Sequence, residues 1–293
     1  MADATSQQDS GAGAPAPEYV TCTVDRGVGL VTLNRPERLN AMGNEMGRQF
    51  DRIMVRLAQD ETVRAVVLTG AGRGFCAGAD MERLVSFSES KGGAARVPQP
   101  GEAQGAYKAL VGLAPPELLT RYCAPQALPQ PVIAAVNGPC AGIGLALAVL
   151  SDVRFASEAA FFVAPFARRG LVAENGLASS LAATVGVGAA ADMLFSGRKV
   201  PADEALRMRL VDHLRPAESL LADALDYARQ IADNVSPRSA RIIKRQLWQA
   251  RSHSFADAMA LSMAETKASM LSEDFAEGLA HFREKRPPRF TGR

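Results

Sequence analysis

Two glycine-rich junctions between a strand and a helix are the features of this sequence best suited to chemistry. The first runs from Gly70 to Asp80 and the second from Asn137 to Ala146. In each, a short apolar run meets small residues whose backbone a ligand can approach closely. Each junction also leads into a helix start, where free N–H groups and the helix dipole favour a negative partner. The two turns therefore indicate a site in which backbone amides bind a charged or polarised oxygen.

Several kinds of site can explain such turns. A dinucleotide-binding fingerprint fits loosely in one register, from Gly72 to Ala77, but the acidic residue that it requires about twenty positions later would lie in a Gly- and Pro-rich stretch. A phosphate-binding P-loop is excluded because the sequence has no Gly-Lys-Ser/Thr motif. Close packing of a strand against a helix remains, as does an oxyanion hole in which two amides converge on one carbonyl oxygen. Spacing alone does not decide between these two.

Cysteine, serine and metal-ligating residues form no recognisable catalytic pattern in the sequence. Cys76 and Cys140 lie in the two turns, but the three histidines that could activate a thiol fall late in the chain without a paired motif, which disfavours a cysteine nucleophile. The sequence has no Gly-x-Ser-x-Gly elbow and no cluster with metal-ligand spacing. We therefore expect no metal site.

The composition indicates an ordinary globular protein, because 47% of the 293 residues are hydrophobic and 22% are charged. A net charge of +2 gives no global reason to expect a nucleic-acid or membrane partner. The apolar stretch 131–150 contains Asn137, Pro139 and three glycines in its middle, which would leave backbone groups unsatisfied in lipid, so no membrane span is expected. Four widely spaced cysteines without a CxxC pair are typical of reduced thiols in the cytoplasm.

The order of strand-like and helix-like segments predicts an α/β fold with a mainly parallel sheet. Residues 1–17 are rich in Ala and Pro, lack the pattern of a secretory signal and are expected to form a disordered tail. The segment Ser86–Pro131 shows no strand pattern and is interpreted as a lid or a mobile loop. An α/β core is expected over 18–215 and a helical region over 216–293. The candidate strands are 19–24, 28–33, 65–68, 132–136, 152–156 and 210–214.

Several motifs, in their order along the chain, resemble signatures of the enoyl-CoA hydratase/isomerase (crotonase) family. The three strongest are Asn34–Met42, Gly74–Met81 and Val132–Gly138, and the similarity covers roughly 19–290. The resemblance implies a crotonase-like core of repeated β-β-α units (a spiral) and a helical C-terminal region used for oligomerisation and for contact with coenzyme A. It also implies an acyl-CoA thioester as the partner, and a homotrimer or homohexamer.

The resemblance implies that the carbonyl of the thioester binds between two backbone amides, those of Ala79 and Ile143. The family usually has glycine at the second position; isoleucine keeps the N–H donor but narrows the space beside it. Two such donors would each lower the barrier by about 3 kcal/mol. Coenzyme A enters only as part of the substrate, and no permanently bound cofactor is expected. The residues implied to contact the substrate or its coenzyme A are Arg38, Ala77, Asp80, Met81 and Gly142, together with Phe282 and Lys285, which often come from a neighbouring subunit in this family.

The proton-transferring carboxylate is where this sequence departs from the hydratases of the family. They use two glutamates, but the corresponding positions hold Ala146 and Phe166. Some family members, chiefly isomerases, carry an acid eight positions beyond the second, which is Glu174 here. Apolar neighbours such as Leu171 and Val172 predict a raised carboxyl pKa, although a surface acid beside an Asn-Gly turn fits the same residues.

The resemblance therefore predicts an enzyme that stabilises a thioester enolate, with Glu174 moving a proton in double-bond isomerisation or hydration of an enoyl-CoA. The alternative is a non-catalytic acyl-CoA-binding protein that has lost the usual hydratase glutamates. Three aromatic residues of the divergent segment, Phe87, Tyr107 and Tyr122, either line the acyl pocket or close the core.

Overall fold

The described part of the chain comprises residues 17–89 and 103–293 of a computed structural model. The tail expected over residues 1–17 lies outside it except for Pro17. Residues 90–102, which belong to the segment interpreted as a lid, also lie outside it.

A mainly parallel sheet forms the centre of the molecule. Its strands, in spatial order, follow the order of the chain, and only the first pair is antiparallel. A smaller sheet has the order β5-β7-β8. The predicted α/β fold with mainly parallel pairing is confirmed. The strands are β1 (Val20–Asp25), β2 (Val28–Leu33), β3 (Ala65–Gly70), β4 (Val132–Val136), β5 (Cys140–Ala141), β6 (Val153–Ser157), β7 (Phe161–Val163), β8 (Lys199–Pro201) and β9 (His213–Arg215).

Helices follow most of the strands, and the chain is helical from residue 220 to residue 284 apart from short turns. One predicted helix start is confirmed in detail: Ser236 Oγ accepts a hydrogen bond from Ser239 N at 3.1 Å, which caps the helix that Pro237 opens. The helices are α1 (Asn44–Gln59), α2 (Met81–Glu89), α3 (Ala124–Ala127), α4 (Ile143–Val149), α5 (Leu177–Val185), α6 (Val187–Ser196), α7 (Ala202–Arg207), α8 (Leu220–Asn234), α9 (Pro237–Gln249), α10 (Phe255–Met270) and α11 (Glu273–Glu284).

The strand predicted over 210–214 is shorter and begins later than expected, at His213. Leu210 and Val211 are buried, but their N–H groups both donate to Ala205 O, at 2.8 and 3.1 Å. They therefore complete the end of α7 rather than a strand. Short apolar runs are buried both in strands and at the ends of helices, so periodicity alone does not distinguish the two.

The two faces of the main sheet pack against different elements because side chains alternate along each strand. One face, with Val67 of β3 and Ile133 of β4, packs against a stripe of small residues on α8. The other face belongs to the larger core, which includes α1 and α4. The α8 stripe has the four-residue spacing of one helix face and consists of Leu220, Ala224, Ala228 and Ala232.

Helix α9 is fixed to the sheet by a buried lysine. Lys244 Nζ lies 2.7 Å from Asp152 Oδ2 and donates to the carbonyls of Pro125 and Gln130 at 2.7 and 2.9 Å. Burial lowers the pKa of Lys244, while the charge of Asp152 opposes that shift. The boundary expected at residue 215, between the α/β core and the helical region, stays a prediction. Helices α8 and α9, which follow it, both pack against the core. Within the described residues, no helix combines the length and the apolar character needed to cross a membrane.

Candidate active site

A buried asparagine holds the first glycine turn, which follows β3. Asn40 is fully buried and has a positive φ of 58°. Its Nδ2 donates to Gly74 O at 2.7 Å and to Ala71 O at 3.0 Å, and its Oδ1 accepts from Arg35 N at 2.8 Å. The loop of the Asn34–Met42 motif therefore determines where the turn after β3 can lie.

An ion pair links the same loop to the end of the turn. The guanidinium of Arg35 pairs with the carboxylate of Asp80 and also donates to Ala41 O at 3.4 Å. Asp80 Oδ1 accepts from Glu82 N at 3.1 Å at the start of α2. Arg35 is the main reason why the pKa of Asp80 is lowered. The carboxylate of Asp80 thus fixes the peptide that follows Ala79.

The two glycine turns are in direct backbone contact. Cys76 and Cys140 form a parallel bridge between them. A Cβ on Gly144 would lie 2.2 Å from Cys76 O, and a Cβ on Gly138 would lie 2.0 Å from Arg73 O. Any side chain larger than hydrogen at these two positions would force the turns apart. Their glycines are thus explained by the close approach of the two turns.

The amides of Ala79 and Ile143 are free at this junction. Ala79 lies opposite Met42 in a parallel bridge that uses the Gly78 carbonyl, at 2.8 Å from Met42 N, and the N–H of Asp80. Its own N–H therefore points to the opposite side. Ile143 is the first residue of α4, where helix geometry supplies no acceptor. Within the described part of the chain neither N–H donates to a protein acceptor.

Distances between the two turns place these amides close together. A Cβ on Gly78 would lie 3.8 Å from Ile143 N, and a Cβ on Gly142 would lie 3.8 Å from Gly78 Cα. Both glycines have positive φ values, 103° and 53°, a conformation that directs the following N–H groups and that other residues rarely adopt. The structure thus brings together two donors that are adjacent and unused.

The side chains around these amides are apolar. The side chain of Ile143 is buried in the large core. Ala146 follows one turn later on α4, and Phe166 is also buried. The two positions where family hydratases carry glutamates are therefore buried hydrocarbon, which cannot transfer a proton.

Glu174 lies in a more exposed setting than its neighbours in sequence suggested. The 3-10 turn Ala167–Arg169 ends at Gly170, whose φ is 67°, and the chain then runs along the surface until Leu177 enters the core. Leu171 and Val172 are 40% and 78% exposed, so these two residues do not form the apolar environment expected around the carboxylate, whereas Ala173 and Leu177 pack against and within the core. Among the described residues, the carboxylate of Glu174 has no hydrogen-bond or ion-pair partner.

The predicted substrate-contacting residues from the first half of the chain lie together. Ala77 N donates to Leu39 O at 2.9 Å, which places the neighbouring Arg38 beside the first turn. Arg38 itself pairs with Glu82 at 3.0 Å on the surface. The residues gathered here are Arg38, Ala77, Asp80, Met81 and Gly142.

The two predicted contacts from the end of the chain are not brought to this site. Phe282 is 80% exposed, and Lys285 ends α11 with a φ of 53°. The tail that follows lies at the other end of the sheet, where Arg64 Nη2 donates to Phe290 O at 2.6 Å. Because Arg64 precedes β3 and the first turn follows it, roughly 20 Å of strand separate the two places.

A cavity of about 1010 Å³ lies between residues 104–129 and the helices α5 and α9. Tyr107 and Tyr122 both line it, and Tyr107 is also part of the large core. The side chain of Phe87 lies outside the described residues. No group of three His, Cys, Asp or Glu side chains that could hold a metal ion occurs within 17–89 and 103–293.

Two side chains that hold the site, Arg35 and Asn40, were not singled out as functional from the sequence. Both stand in the Asn34–Met42 motif, but their partners outside this motif are 31 to 45 residues away. No local pattern reveals such pairings. The positive φ at Asn40 is the one property that its residue type indicates, since asparagine tolerates the left-handed region.

Comparison with known sequences shows a family match over almost the whole chain. Residues 23–293 match the sequence profile described as enoyl-CoA hydratase/isomerase. A probable enoyl-CoA hydratase of Mycobacterium leprae is 38% identical over 264 residues, which cover 89% of this chain and 85% of the relative. The 1,2-epoxyphenylacetyl-CoA isomerase of Escherichia coli is 32% identical over 276 residues, which cover 94% and 99%.

Solved structures agree with the sequence relatives. A probable enoyl-CoA hydratase/isomerase of Mycobacterium abscessus superposes with a TM-score of 0.78 at 33% identity, covering 94% of this chain and 99% of that one. An enoyl-CoA hydratase of Bacillus anthracis superposes with a TM-score of 0.81 at 26% identity, covering 94% and 100%. The chain therefore belongs to the enoyl-CoA hydratase/isomerase family, has the crotonase-like fold, and is an enzyme of that family.

Proposed function

We propose that the protein binds an acyl-CoA thioester with its carbonyl oxygen between the amides of Ala79 and Ile143. Removing a proton next to a thioester places negative charge on that oxygen, and preorganised donors stabilise this charge at no reorganisation cost. The observation that carries the proposal is the pair of free amides on two touching turns. A Cβ on Gly78, which precedes Ala79, would lie 3.8 Å from Ile143 N.

Double-bond isomerisation is the reaction that the surrounding side chains support best. Glu174 would take a proton from C2 of a 3-enoyl-CoA, leaving a dienolate, and return a proton to C4 to give the 2-enoyl-CoA. One carboxylate suffices for this cycle. Hydration also requires a water held on the correct face, and the positions that would hold it, Ala146 and Phe166, are apolar.

Coenzyme A would lie along the first turn, near Arg38, Ala77, Asp80, Met81 and Gly142. Phe282 and Lys285 would come from a neighbouring copy, since the tail of the same chain lies at the other end of the sheet. Apolar side chains exposed on the C-terminal helices support a homotrimer or homohexamer in which they are covered. They include Leu247, Phe255, Met263, Leu271 and Phe282. We also propose the cytoplasm as the location, because widely spaced cysteines without a CxxC pair are typical of reduced thiols.

The test is incubation with 2-enoyl- and 3-enoyl-CoA esters in heavy water, followed by mass spectrometry. Isomerisation predicts bond migration with deuterium exchange, whereas hydration predicts water addition. Glu174→Gln should lower turnover by at least about 100-fold while acyl-CoA binding persists. Glu218→Gln is the matched control, since Glu218 is an exposed glutamate before α8. Full activity in Glu174→Gln would refute the assignment of this residue.

The comparisons disfavour the alternative of a non-catalytic acyl-CoA-binding protein, because the chain matches a family of enzymes and relatives named as a hydratase and an isomerase. That alternative predicts saturable binding of acyl-CoA without turnover of any ester in the panel. Turnover that depends on Glu174 would exclude it.

A further inference from the structure

The large cavity runs beside the helix that carries one of the two amides. Leu150, directly after α4, lines it, and so does Asn175, which follows Glu174. Seven helical steps separate Ile143 from Leu150, which corresponds to about 10 Å. The cavity is thus placed to receive the part of an acyl group that lies beyond the reacting carbons.

The wall of this cavity carries an excess of positive charge. Three of its cations are neutralised by protein carboxylates: Arg121 pairs with Asp51 at 2.6 Å, Lys244 with Asp152 at 2.7 Å, and Arg245 with Glu265. Two further arginines line the cavity, Arg241 and Arg251, against one further carboxylate, that of Glu117. Neither arginine forms an ion pair within the described part of the chain.

Arg251 is held in place without a counter-ion. Its guanidinium lies 4.7 Å from the ring centroid of Trp248, and it donates over long distances to Ser179 O at 3.3 Å and Ser180 Oγ at 3.5 Å. Partial burial lowers the pKa of Arg251, while the residue as a whole stays exposed to solvent. The guanidinium therefore lines the cavity with a charge that no described carboxylate balances, and it remains accessible to an anion supplied from outside the chain.

Two uncharged polar groups of the same wall also lack a partner. Tyr107 is 1% exposed, and its hydroxyl forms no hydrogen bond to a described residue; the same holds for Gln249 Oε1. Burial and the nearby charge of Asp51 raise the pKa of Tyr107, so its hydroxyl keeps its proton and can donate. A purely hydrocarbon occupant would leave the Tyr107 hydroxyl without an acceptor at a cost in free energy, whereas a carboxylate can accept from it. Gln249 Oε1 is itself an acceptor and needs a donor such as water.

We infer that the acyl group accepted by this protein ends in a carboxylate, which Arg251 binds in the cavity while Arg241 adds positive charge to the wall. The inference rests on the proposed function and narrows its substrate class to thioesters of dicarboxylic acids. An extended chain advances about 1.2 Å per bond, so about eight bonds span the 10 Å from Ile143 to Leu150. Arginine suits this role because its planar fork matches both oxygens of a carboxylate.

The experiment compares saturated thioesters of equal length that differ only at the far end, such as octanoyl-CoA and the monothioester of octanedioic acid. Because saturated esters are not turned over, calorimetry reports binding alone. The wild type should bind the carboxylate-ended ester at least about tenfold more tightly, and Arg251→Met should remove that preference. Tyr107→Phe keeps the ring and should weaken binding of the same ester. Arg207→Met is the control, since Arg207 lies on α7 and pairs with Asp203 on the surface.

Other results would overturn the inference in distinguishable ways. Equal binding of both esters, or a preference for the methyl end, would refute the carboxylate while leaving acyl-CoA binding intact. Weaker binding of free coenzyme A to Arg251→Met would show that the arginine recognises a phosphate instead. Failure of the wild type to bind either ester would remove the proposed function together with the inference.

Discussion

The ion pair between Arg35 and Asp80 offers the sharpest test of how the site is held. We predict that Asp80→Asn destabilises the fold and slows catalysis, because the carboxylate of Asp80 holds the backbone next to Ala79. Asparagine keeps the shape of the side chain and can still accept from the N–H of Glu82 as a helix cap. The substitution therefore removes the charge and little else.

The magnitude follows from how deeply the pair is buried. The side chains of Arg35 and Asp80 are 18% and 13% exposed. Surface pairs contribute up to about 1 kcal/mol, whereas removing one partner of a fully buried pair costs about 3 to 5 kcal/mol. For this intermediate pair we expect a loss of about 2 kcal/mol in the free energy of unfolding. If the backbone at Ala79 shifts together with Asp80, the Ala79 N–H, the proposed oxyanion donor, is misaligned, and kcat should fall by at least about tenfold with a smaller change in KM.

The pH dependence gives an independent readout. Arg35 lowers the pKa of Asp80 in the folded state, so the pair stabilises the fold above the unfolded pKa of about 3.9 and loses this effect as pH falls through the folded pKa. The stability difference between wild type and Asp80→Asn, measured by urea unfolding, should therefore be full at pH 7 and shrink below pH 4. Asp203→Asn, which breaks the exposed pair with Arg207, is the control and should change stability little. Equal effects of the two substitutions, or a pH-independent difference, would refute the reasoning.

Two further substitutions test the contact between the turns and the loop that holds them. Gly144→Ala would place a Cβ 2.2 Å from Cys76 O and should lower the free energy of unfolding, measured in urea, by at least about 3 kcal/mol. Gly188→Ala is the control and should be neutral or stabilising, because a Cβ at this position on α6 would meet no atom within 4 Å. Equal outcomes for the two substitutions would contradict the close approach of the two turns. Asn40→Ala should cost about 4 kcal/mol, because it removes three hydrogen bonds and puts alanine at positive φ, while Asn234→Ala on the exposed end of α8 should have a small effect.

The backbone of the site was predictable because its signals are local. Buried strands are short apolar runs that end at glycine, and the runs at β3 and β4 placed both turns before any contact was known. Glycine at positions 138 and 144 indicates that the two turns approach each other closely, since a Cβ at either position would clash with a backbone oxygen. The short strands of the smaller sheet, two or three residues each, carry too few residues for periodicity to reveal.

The side chains of the site were less predictable because their settings depend on distant parts of the chain. Leu171 and Val172 predicted an apolar pocket around Glu174, yet they are exposed because Gly170 turns the chain along the surface. An apolar residue is buried only where another surface packs against it, so residue type alone does not determine burial. Arg251 stands 71 and 72 residues from the serines that it contacts, so no spacing rule connects them.

This division between backbone and side chains explains how the family's chemistry can change while its fold persists. The two amides need only the glycine turns and the contacts of Asn40 and Asp80, so they survive the replacement of both hydratase glutamates by Ala146 and Phe166. On the proposed function, binding of a thioester oxygen would then be retained, and the reaction would depend on the carboxylate that reaches the acyl chain. Asn175, which follows Glu174, and Arg251 both line the same cavity. We therefore expect substitutions at residues 174–175 and at the end of α9 to change both the proton-transfer step and the choice of acyl group, while the positions of the two amides stay the same.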